Sequence, residues 1–216
     1  MNRRQFSAQL LTVPAMAAGL LSYARSAGAQ GAPVEGTHYV RLSQPLSVPP
    51  GKIDVVEFFS YACPHCNAFE PTLAAWIKKL PADVNFHRVP VPFLQNAENF
   101  QRLYYALEAM GQVDAMQRKV FAAFHVDHQR LDKPADIAAL MTKNGLDGAK
   151  FLEVFNSFTV QTKARQAKQI VDAYKIDGVP AIGIQGRYYT SVSLAGTPER
   201  ALAVTEFLIE RSRKAN

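Results

Sequence analysis

The pattern of apolar and polar positions predicts strands toward both ends of the chain and helices between them. Residues 52–60 form a run of β-branched and aromatic side chains that indicates a buried strand. Apolar residues then recur at helical spacing: Phe69, Leu73, Trp76, Ile77 and Leu80. Residues 85–93 alternate as a further strand would, and the prolines at 90 and 92 are expected to end it. Near the beginning, Val40 and Leu42 fall on one face of a short first strand, with Tyr39 on the other.

From residue 96 to about residue 175 the apolar spacing is helical throughout, and it predicts five helices. Strand character returns at 181–184 and 187–190, and Gln185-Gly186 between these runs predicts a tight hairpin turn. Thr197-Pro198 then opens a final helix. The order of strand, strand, helix, strand, helical block, hairpin and helix predicts an α/β protein.

Composition and charge exclude some functions. The 216 residues are 48% hydrophobic and 19% charged, which is typical of a soluble globular protein that buries a core. The formal net charge is +6, but Arg3, Arg4 and Arg25 belong to a predicted leader. Without them, 21 basic residues face 18 acidic residues, a net charge of +3. A charge this small argues against nucleic acid as a partner.

The first 29 residues predict a signal peptide. A basic start precedes an apolar stretch at 10–21 and a small-x-small pattern that ends at Ala29. The apolar stretch is shorter than the roughly 20 residues that span a membrane, so we expect an exported, soluble protein cleaved near Ala29. Arg3-Arg4 resembles a twin-arginine signal, and an ordinary secretory signal stays open. The alanine-rich end of the stretch argues against the other alternative, an N-terminal membrane anchor.

Both cysteines of the chain lie in one motif, Cys63-Pro64-His65-Cys66, between the predicted strand and the helix after it. Two intervening residues close only a small ring, so the pair cannot staple distant parts of an exported chain. Redox chemistry is therefore the favoured function of the motif. An incidental bridge and half of a zinc site are the alternatives, but zinc usually takes four ligands and the sequence holds no second cysteine pair.

Cys63 is the predicted nucleophile of the pair. At a helix start it faces unpaired backbone N–H groups and the positive end of the helix dipole, which favour the thiolate. Pro64 fits the first helical turn, because its missing N–H has no intrahelical partner there. His65 places a partly cationic ring beside the sulfur. Elsewhere, His125 and His128 are interpreted as solvated residues at a helix end.

Glu57 is the unexpected residue of the predicted strand, because it shares a face with Val55 and Phe59. Burial raises the pKa of a carboxyl group that lacks a partner. Glu57 is therefore a candidate proton acceptor during exchange at Cys66, and a structural, ion-paired glutamate is the alternative.

Four segments together resemble the DsbA family of exported thiol:disulfide oxidoreductases. They are Glu57-Phe58-Phe59-Ser60, Cys63-Pro64-His65-Cys66, Phe155-Asn156-Ser157-Phe158 and Gly178-Val179-Pro180. The resemblance covers nearly all of the chain after the leader. It implies a thioredoxin-like fold with an inserted all-helical domain, in which 37–95 and 162–216 form the thioredoxin-like domain and 96–161 form the insertion.

The resemblance also implies further features of the site. Val179-Pro180 would have a cis peptide bond, form the other wall of the site and turn the Val179 backbone toward an extended substrate. A trans proline that opens a strand is the alternative. A basic partner for Glu57 would lie on the next strand, where the nearest match is Arg88. Arginine stays protonated, which permits a charge pair but weakens any proton shuttle through it.

This interpretation predicts a protein disulfide oxidoreductase in the periplasm that donates the Cys63–Cys66 disulfide to reduced or unfolded exported proteins. A substrate thiolate attacks Cys63, Cys66 leaves, and a second substrate thiol resolves the mixed disulfide. We expect a monomer with no metal and no cofactor besides this redox-active disulfide. The resemblance implies reoxidation by a quinone-linked membrane protein of the DsbB type.

Two other functions stay open at this point. One is a periplasmic thiol reductase or isomerase of the same fold. Exported isomerases of this superfamily are dimers with a separate dimerisation domain, and the segment before Tyr39 is too short for one. The other is a non-catalytic, chaperone-like binding module that uses the helical insertion as an apolar surface.

Overall fold

Five strands form one mixed sheet in residues 31–214, the part of the chain that the computed structural model describes. The strands are β1 Val40–Arg41, β2 Ile53–Phe59, β3 Val84–Pro90, β4 Ala181–Ile184 and β5 Tyr188–Ser191. Their order across the sheet is β1-β5-β4-β2-β3. β2 and β3 are parallel, and the other neighbouring strands are antiparallel.

Eight helices accompany the sheet within the same residues. They are α1 Pro64–Ile77, α2 Ala97–Ala109, α3 Val113–His125, α4 Pro134–Lys143, α5 Gly148–Phe155, α6 Phe158–Tyr174, α7 Val192–Ala195 and α8 Pro198–Arg213. The predicted helical block corresponds to α2–α6, and the predicted hairpin to β4 and β5. The α/β class and the predicted order of the elements are therefore confirmed.

Apolar side chains pack on both faces of the sheet. Alternation along β2 directs Val55 into a core shared with α1 and α8, whereas Val56 and Phe58 enter a second core shared with α2–α6. All seven residues of β2 are buried, because the strand has a neighbour on either side and packed layers above and below. β2 is thus a well-supported base for the cysteine motif that follows it.

The helix starts follow signals in the local sequence. Pro64, Pro134 and Pro198 lie at the first helical positions, where a missing N–H costs no intrahelical hydrogen bond. The side chains of Asp147 and Ser157 cap α5 and α6 by accepting a backbone N–H three residues on.

Three details differ from the sequence prediction. Tyr39 is 2% exposed although the pattern places it opposite the apolar face, because it packs edge-on against Tyr188. β3 covers Val84–Pro90 and not the full alternating run 85–93, and it stops at the prolines at 90 and 92 as expected, since proline offers no N–H to continue a ladder. The pattern does not predict the short helix α7, which the side chain of Ser191 caps by accepting the N–H of Leu194.

The domain limits and the leader stay predictions. The expected boundary between residues 161 and 162 falls inside α6. The expected signal peptide at 1–29 lies outside the described residues. Within residues 31–214 no helix is both long enough and apolar enough to cross a membrane.

Candidate active site

Cys63 is the N-cap residue of α1, and Cys66 lies in the first turn of that helix. The backbone N–H of Cys66 donates to Cys63 Sγ at 3.4 Å. Both cysteines are free thiols in this structure. β2 ends at Phe59 and α1 begins at Pro64, so the strand-to-helix junction predicted for the motif is confirmed.

The two thiols differ in acidity. A hydrogen bond from the Cys66 side chain is the main cause that lowers the pKa of Cys63 to about 6, against an opposing effect of burial. The backbone N–H groups of Cys66 and His65 and the charge of the His65 ring lower it further. Burial raises the pKa of Cys66, which is 1% exposed. Cys63 is therefore a thiolate at neutral pH and Cys66 a thiol, while Pro64 and His65 between them are exposed.

Val179-Pro180 lies beside the cysteine pair, although more than 100 residues separate them in the chain. The peptide bond is cis, as the resemblance implies. Cys63 Sγ is 3.4 Å from the backbone oxygen of Val179. The segment immediately precedes β4, which pairs with β2. Two neighbouring strands of the sheet thus position the two walls of the site.

A buried charged cluster joins β2, β3 and α1 near the cysteines. Glu57 and Arg88 are register partners on the parallel strands β2 and β3. Arg88 Nε donates to Glu57 Oε2 at 2.6 Å, and Arg88 Nη2 lies 3.2 Å from both carboxylate oxygens of Glu70. Glu57 is 1% exposed, Arg88 7% and Glu70 4%. The structure therefore brings Arg88 to Glu57, as expected, and adds Glu70.

One guanidinium serves two carboxyl groups in this cluster. Burial raises the pKa of Glu57, and it raises the pKa of Glu70 to about 7; Arg88 opposes both changes. Burial alone would lower the pKa of Arg88, but the two carboxylates together hold that pKa above its ordinary value. Burial and the Cys63 sulfur are the main causes that raise the pKa of Cys66, and the charge of Glu57 raises it further. The cluster keeps Arg88 charged and holds a carboxyl proton that exchanges near neutral pH.

Glu70 is a site residue that the sequence reasoning missed. The signal is its place in α1: it lies four residues after Cys66 and next to Phe69, on the buried stripe of the helix. A carboxylate on a buried stripe needs a partner, because an unpaired buried charge is costly. Spacing alone therefore marks position 70, but it does not identify Arg88 as the partner.

A second polar link joins the segment before Cys63 to α3. The Tyr61 hydroxyl donates to Gln117 Oε1 at 2.6 Å, and both residues are buried. His125 Nε2 lies 2.8 Å from the backbone oxygen of Tyr61. The interpretation of His125 as a solvated residue is therefore wrong, because the end of α3 packs against the active-site segment; His128 is exposed, as predicted.

The site offers two sulfurs, a cluster of two carboxyls and a guanidinium, and a backbone carbonyl. Among residues 31–214, no three His, Cys, Asp or Glu side chains are grouped so that they could hold a metal ion. The zinc alternative would need more ligands than Cys63, Cys66 and their described neighbours supply. The arrangement is suited to thiol–disulfide exchange at Cys63, with a proton source near Cys66.

Comparison with known proteins agrees with this chemistry. Residues 54–200 match the model of the DSBA-like thioredoxin domain. The chain is 43% identical over 208 residues to the thiol:disulfide interchange protein DsbA of Bordetella parapertussis, which covers 95% of this chain and 97% of that protein. It is 41% identical over 181 residues to the DsbA of Pseudomonas aeruginosa, which covers 83% of this chain and 86% of the relative.

Solved structures show the same relationship in three dimensions. The crystal structure of Pseudomonas aeruginosa DsbA superimposes with a TM-score of 0.82 at 41% identity, over 84% of this chain and 95% of the other. DsbA of Xylella fastidiosa superimposes with a TM-score of 0.78 at 30% identity, over 84% of this chain and 98% of the other. The thioredoxin-like fold expected from the sequence is thereby confirmed.

Proposed function

Because this chain belongs to the DSBA-like thioredoxin domain family, we propose that it is a protein disulfide oxidoreductase that donates a Cys63–Cys66 disulfide to reduced exported proteins. The difference between the two sulfurs carries the proposal: the pKa of Cys63 is lowered to about 6, whereas burial raises that of Cys66. A stabilised Cys63 thiolate stabilises the reduced protein relative to its disulfide. The disulfide is therefore a strong oxidant.

Oxidation of a substrate dithiol takes two exchanges. A substrate thiolate attacks Cys63 Sγ, forms a mixed disulfide and breaks the Cys63–Cys66 bond, so that Cys66 leaves as a thiolate and takes up a proton. A second substrate thiolate then attacks the substrate sulfur of the mixed disulfide and releases Cys63 as a thiolate. The substrate loses two electrons, and the enzyme gains them as its reduced cysteine pair. Attack at Cys63 is favoured because it keeps 5% of its surface exposed at the start of α1, against 1% for Cys66.

Glu57 and Glu70 supply the proton that Cys66 needs. The Cys66 thiolate is strongly basic, and the carboxyl cluster near it holds a proton that exchanges near neutral pH. Arg88 stays protonated and acts by orienting the two carboxyl groups. In the reverse direction, when the enzyme is reoxidised, the same cluster accepts the proton that Cys66 gives up.

The Val179 backbone guides the substrate to the sulfur. Its carbonyl oxygen lies next to Cys63 Sγ, and Val179 remains partly exposed. An extended polypeptide that pairs with this backbone, as an added strand would, brings a substrate sulfur to Cys63 without contacts that depend on the substrate sequence. This suits an enzyme that acts on many reduced proteins.

We place the protein in the periplasm, as a monomer released from its signal peptide near Ala29. The thioredoxin-like domain comprises 37–95 and 162–216, and 96–161 form the inserted helical domain. Reduced enzyme is returned to the disulfide by a quinone-linked membrane protein of the DsbB type. The working group is the cysteine pair itself, with no separate cofactor.

The redox equilibrium in graded glutathione buffers tests the proposal. Free thiols are trapped and counted, and the fluorescence of Trp76 on α1 reports the same transition. We expect the disulfide to be reduced already by mildly reducing mixtures, because the Cys63 thiolate stabilises the reduced form. A disulfide that persists until the buffer is strongly reducing would instead indicate a periplasmic reductase or isomerase.

The Cys63→Ser variant tests the chaperone-like alternative. It keeps the fold and the helical surface but cannot form a mixed disulfide. We expect it to lose all oxidation of a reduced client, with the Gln166→Ala variant of an exposed residue on α6 as the active control. Undiminished rescue of the client by Cys63→Ser would favour a binding module.

A further inference from the structure

A cavity of about 520 Å³ lies at the end of the sheet away from the cysteines. Its walls are the segment 46–49, the beginnings of β2 and β3, and the last turns of α6. Its size falls in the range of small-molecule sites, which are mostly apolar with a few converging polar groups. The apolar surface comes chiefly from Leu46, Val48, Ile170, Ala173 and Tyr174.

Asp54 of β2 provides a carboxylate in this cavity and is only 5% exposed. Asn85 Nδ2 donates to Asp54 Oδ1 at 3.2 Å, and the Asp54 backbone N–H donates to Gln185 Oε1 at 2.8 Å. His87 Nδ1 is 3.4 Å from the same oxygen, but within the described chain it makes no hydrogen bond. The Asn85 amide is therefore the hydrogen-bond donor to this carboxylate oxygen, and the His87 ring is the only other polar side chain beside it among the described residues.

The cavity lacks a permanent positive charge to match Asp54. Neither lysine nor arginine occurs among its lining residues. Lys52 lines a smaller cavity of about 440 Å³ that shares Pro49, Asp54 and Asn85 with this one. Within residues 31–214 no lysine or arginine comes within ion-pair distance of Asp54. A carboxylate withdrawn from water with only one imidazole of the described residues, that of His87, within ion-pair distance is poorly compensated, and a ligand ammonium group would relieve that cost.

We propose that this cavity binds a small organic amine. Its ammonium group pairs with Asp54 and its aromatic or branched aliphatic body packs on Ile170, Ala173 and Tyr174. Charge complementarity selects the ammonium group, and the apolar walls select the body. The site goes beyond the proposed oxidoreductase activity and does not depend on it.

The amine site and the cysteines lie at opposite ends of β2. Asp54 is five residues before Phe59, which places it about 17 Å along the strand from the end that leads to Cys63. A ligand at Asp54 therefore contacts none of the groups that take part in thiol–disulfide exchange. Loss of amine binding and loss of oxidase activity are separable outcomes.

The test is an NMR titration of the purified, isotopically labelled protein with phenethylamine, and in parallel with 2-phenylethanol, which replaces the ammonium group by a hydroxyl. We expect saturable shift changes at the amides of Ile170, Ala173 and Tyr174 with the amine. We expect at least fivefold weaker binding of the alcohol. Equal binding of both compounds would overturn the cationic assignment, and no saturable change at these amides would overturn the site.

Two variants and one control complete the experiment. Asp54→Asn keeps an oxygen that can accept from Asn85 and is expected to weaken amine binding at least fivefold. Ala173→Phe fills the cavity from an exposed position of α6 and is expected to abolish it, whereas Gln166→Phe, on the same helix outside the lining, leaves it unchanged. The dispersion of the amide NMR spectrum shows that each variant is folded, independently of thiol oxidase activity. If the Asp54→Asn and Ala173→Phe variants are folded and bind the amine as tightly as the parent protein does, the amine binds elsewhere.

Discussion

His125 Nε2 lies 2.8 Å from the backbone oxygen of Tyr61, and this contact ties the end of α3 to the segment that leads into Cys63. A carbonyl oxygen only accepts hydrogen bonds, so the ring carries its proton on Nε2. The Tyr61 side chain is anchored to the same helix through Gln117. The helical block therefore contacts both the backbone and the side chain of Tyr61, two residues before the nucleophile Cys63.

Replacing His125 by alanine is expected to slow thiol–disulfide exchange severalfold and to lower the midpoint of chemical denaturation modestly. The lost hydrogen bond is worth about 1 kcal/mol, and its main effect is a looser position of Cys63. Stopped-flow oxidation of a reduced model peptide measures the rate. His128→Ala is the matched control, because His128 is an exposed neighbour; equal rates for the two variants would contradict the positioning role.

The thiolate of Cys63 is expected to form with a midpoint near pH 6, the value to which its hydrogen bonds and surroundings lower its pKa. Absorbance at 240 nm of the reduced protein, corrected by that of the oxidised protein, follows the titration. The rate of alkylation by iodoacetamide should follow the same curve. The Cys63→Ser protein should show neither change, since burial keeps Cys66 protonated; a midpoint above pH 8 would contradict the assigned acidity.

His65→Ala is expected to raise the pKa of Cys63 slightly, because it removes the charge of the ring, which favours the thiolate less than the Cys66 side chain does. A tenfold weaker stabilisation of the thiolate lowers the reduction potential by about 30 mV. The glutathione equilibrium measures this potential. A variant that keeps the parent potential would show that the Cys66 side chain and the backbone N–H groups set the acidity of Cys63 without the ring.

The stability of the reduced protein relative to the oxidised protein is expected to rise with pH between 5 and 9. The folded pKa of Cys63 is about 6 and its ordinary value is 9.0, so the folded state favours the thiolate. This contribution is complete above the ordinary pKa and is lost as the pH falls through 6. Allowing for solvent screening, it amounts to about 2 kcal/mol. Urea unfolding of both redox forms measures the difference. A free energy of unfolding of the reduced protein, relative to that of the oxidised protein, that falls toward alkaline pH would contradict the predicted sign.

Arg88→Met is expected to destabilise the protein by about 3 kcal/mol, because it leaves two buried carboxyl groups without their cation. Adding Glu57→Gln and Glu70→Gln to this variant should recover part of the loss by removing the unpaired charges. Urea unfolding at pH 7 provides the free energies. Arg213→Met, which removes a partly exposed arginine from a surface ion pair with Asp83, should cost far less. A comparable loss in the two single variants would mean that the buried cluster contributes no more than a surface pair.

Some of the fold is readable from short stretches of sequence. The dense β-branched and aromatic run before Ser60 predicts β2, and Pro64 after a small residue predicts the start of α1, because both signals act within one element. The turn at Gln185-Gly186 is equally local: both residues have positive φ, a conformation open to glycine and tolerated in few other residues. The burial of Tyr39, by contrast, depends on its contact with Tyr188 of another strand, and the pattern along the chain does not predict it.

The candidate site likewise has features that local sequence predicts and contacts that only the tertiary structure shows. The sequence determined that Cys63 stands at a helix start, and hence that it is the more acidic thiol, because the unpaired N–H groups of a helix end come with the helix. Only the tertiary structure decided that Glu70 shares Arg88 with Glu57, that His125 reaches Tyr61, and that the carbonyl of Val179 lies at the sulfur. These contacts join elements far apart in the chain, and side-chain packing between elements leaves no local pattern from which a partner can be read.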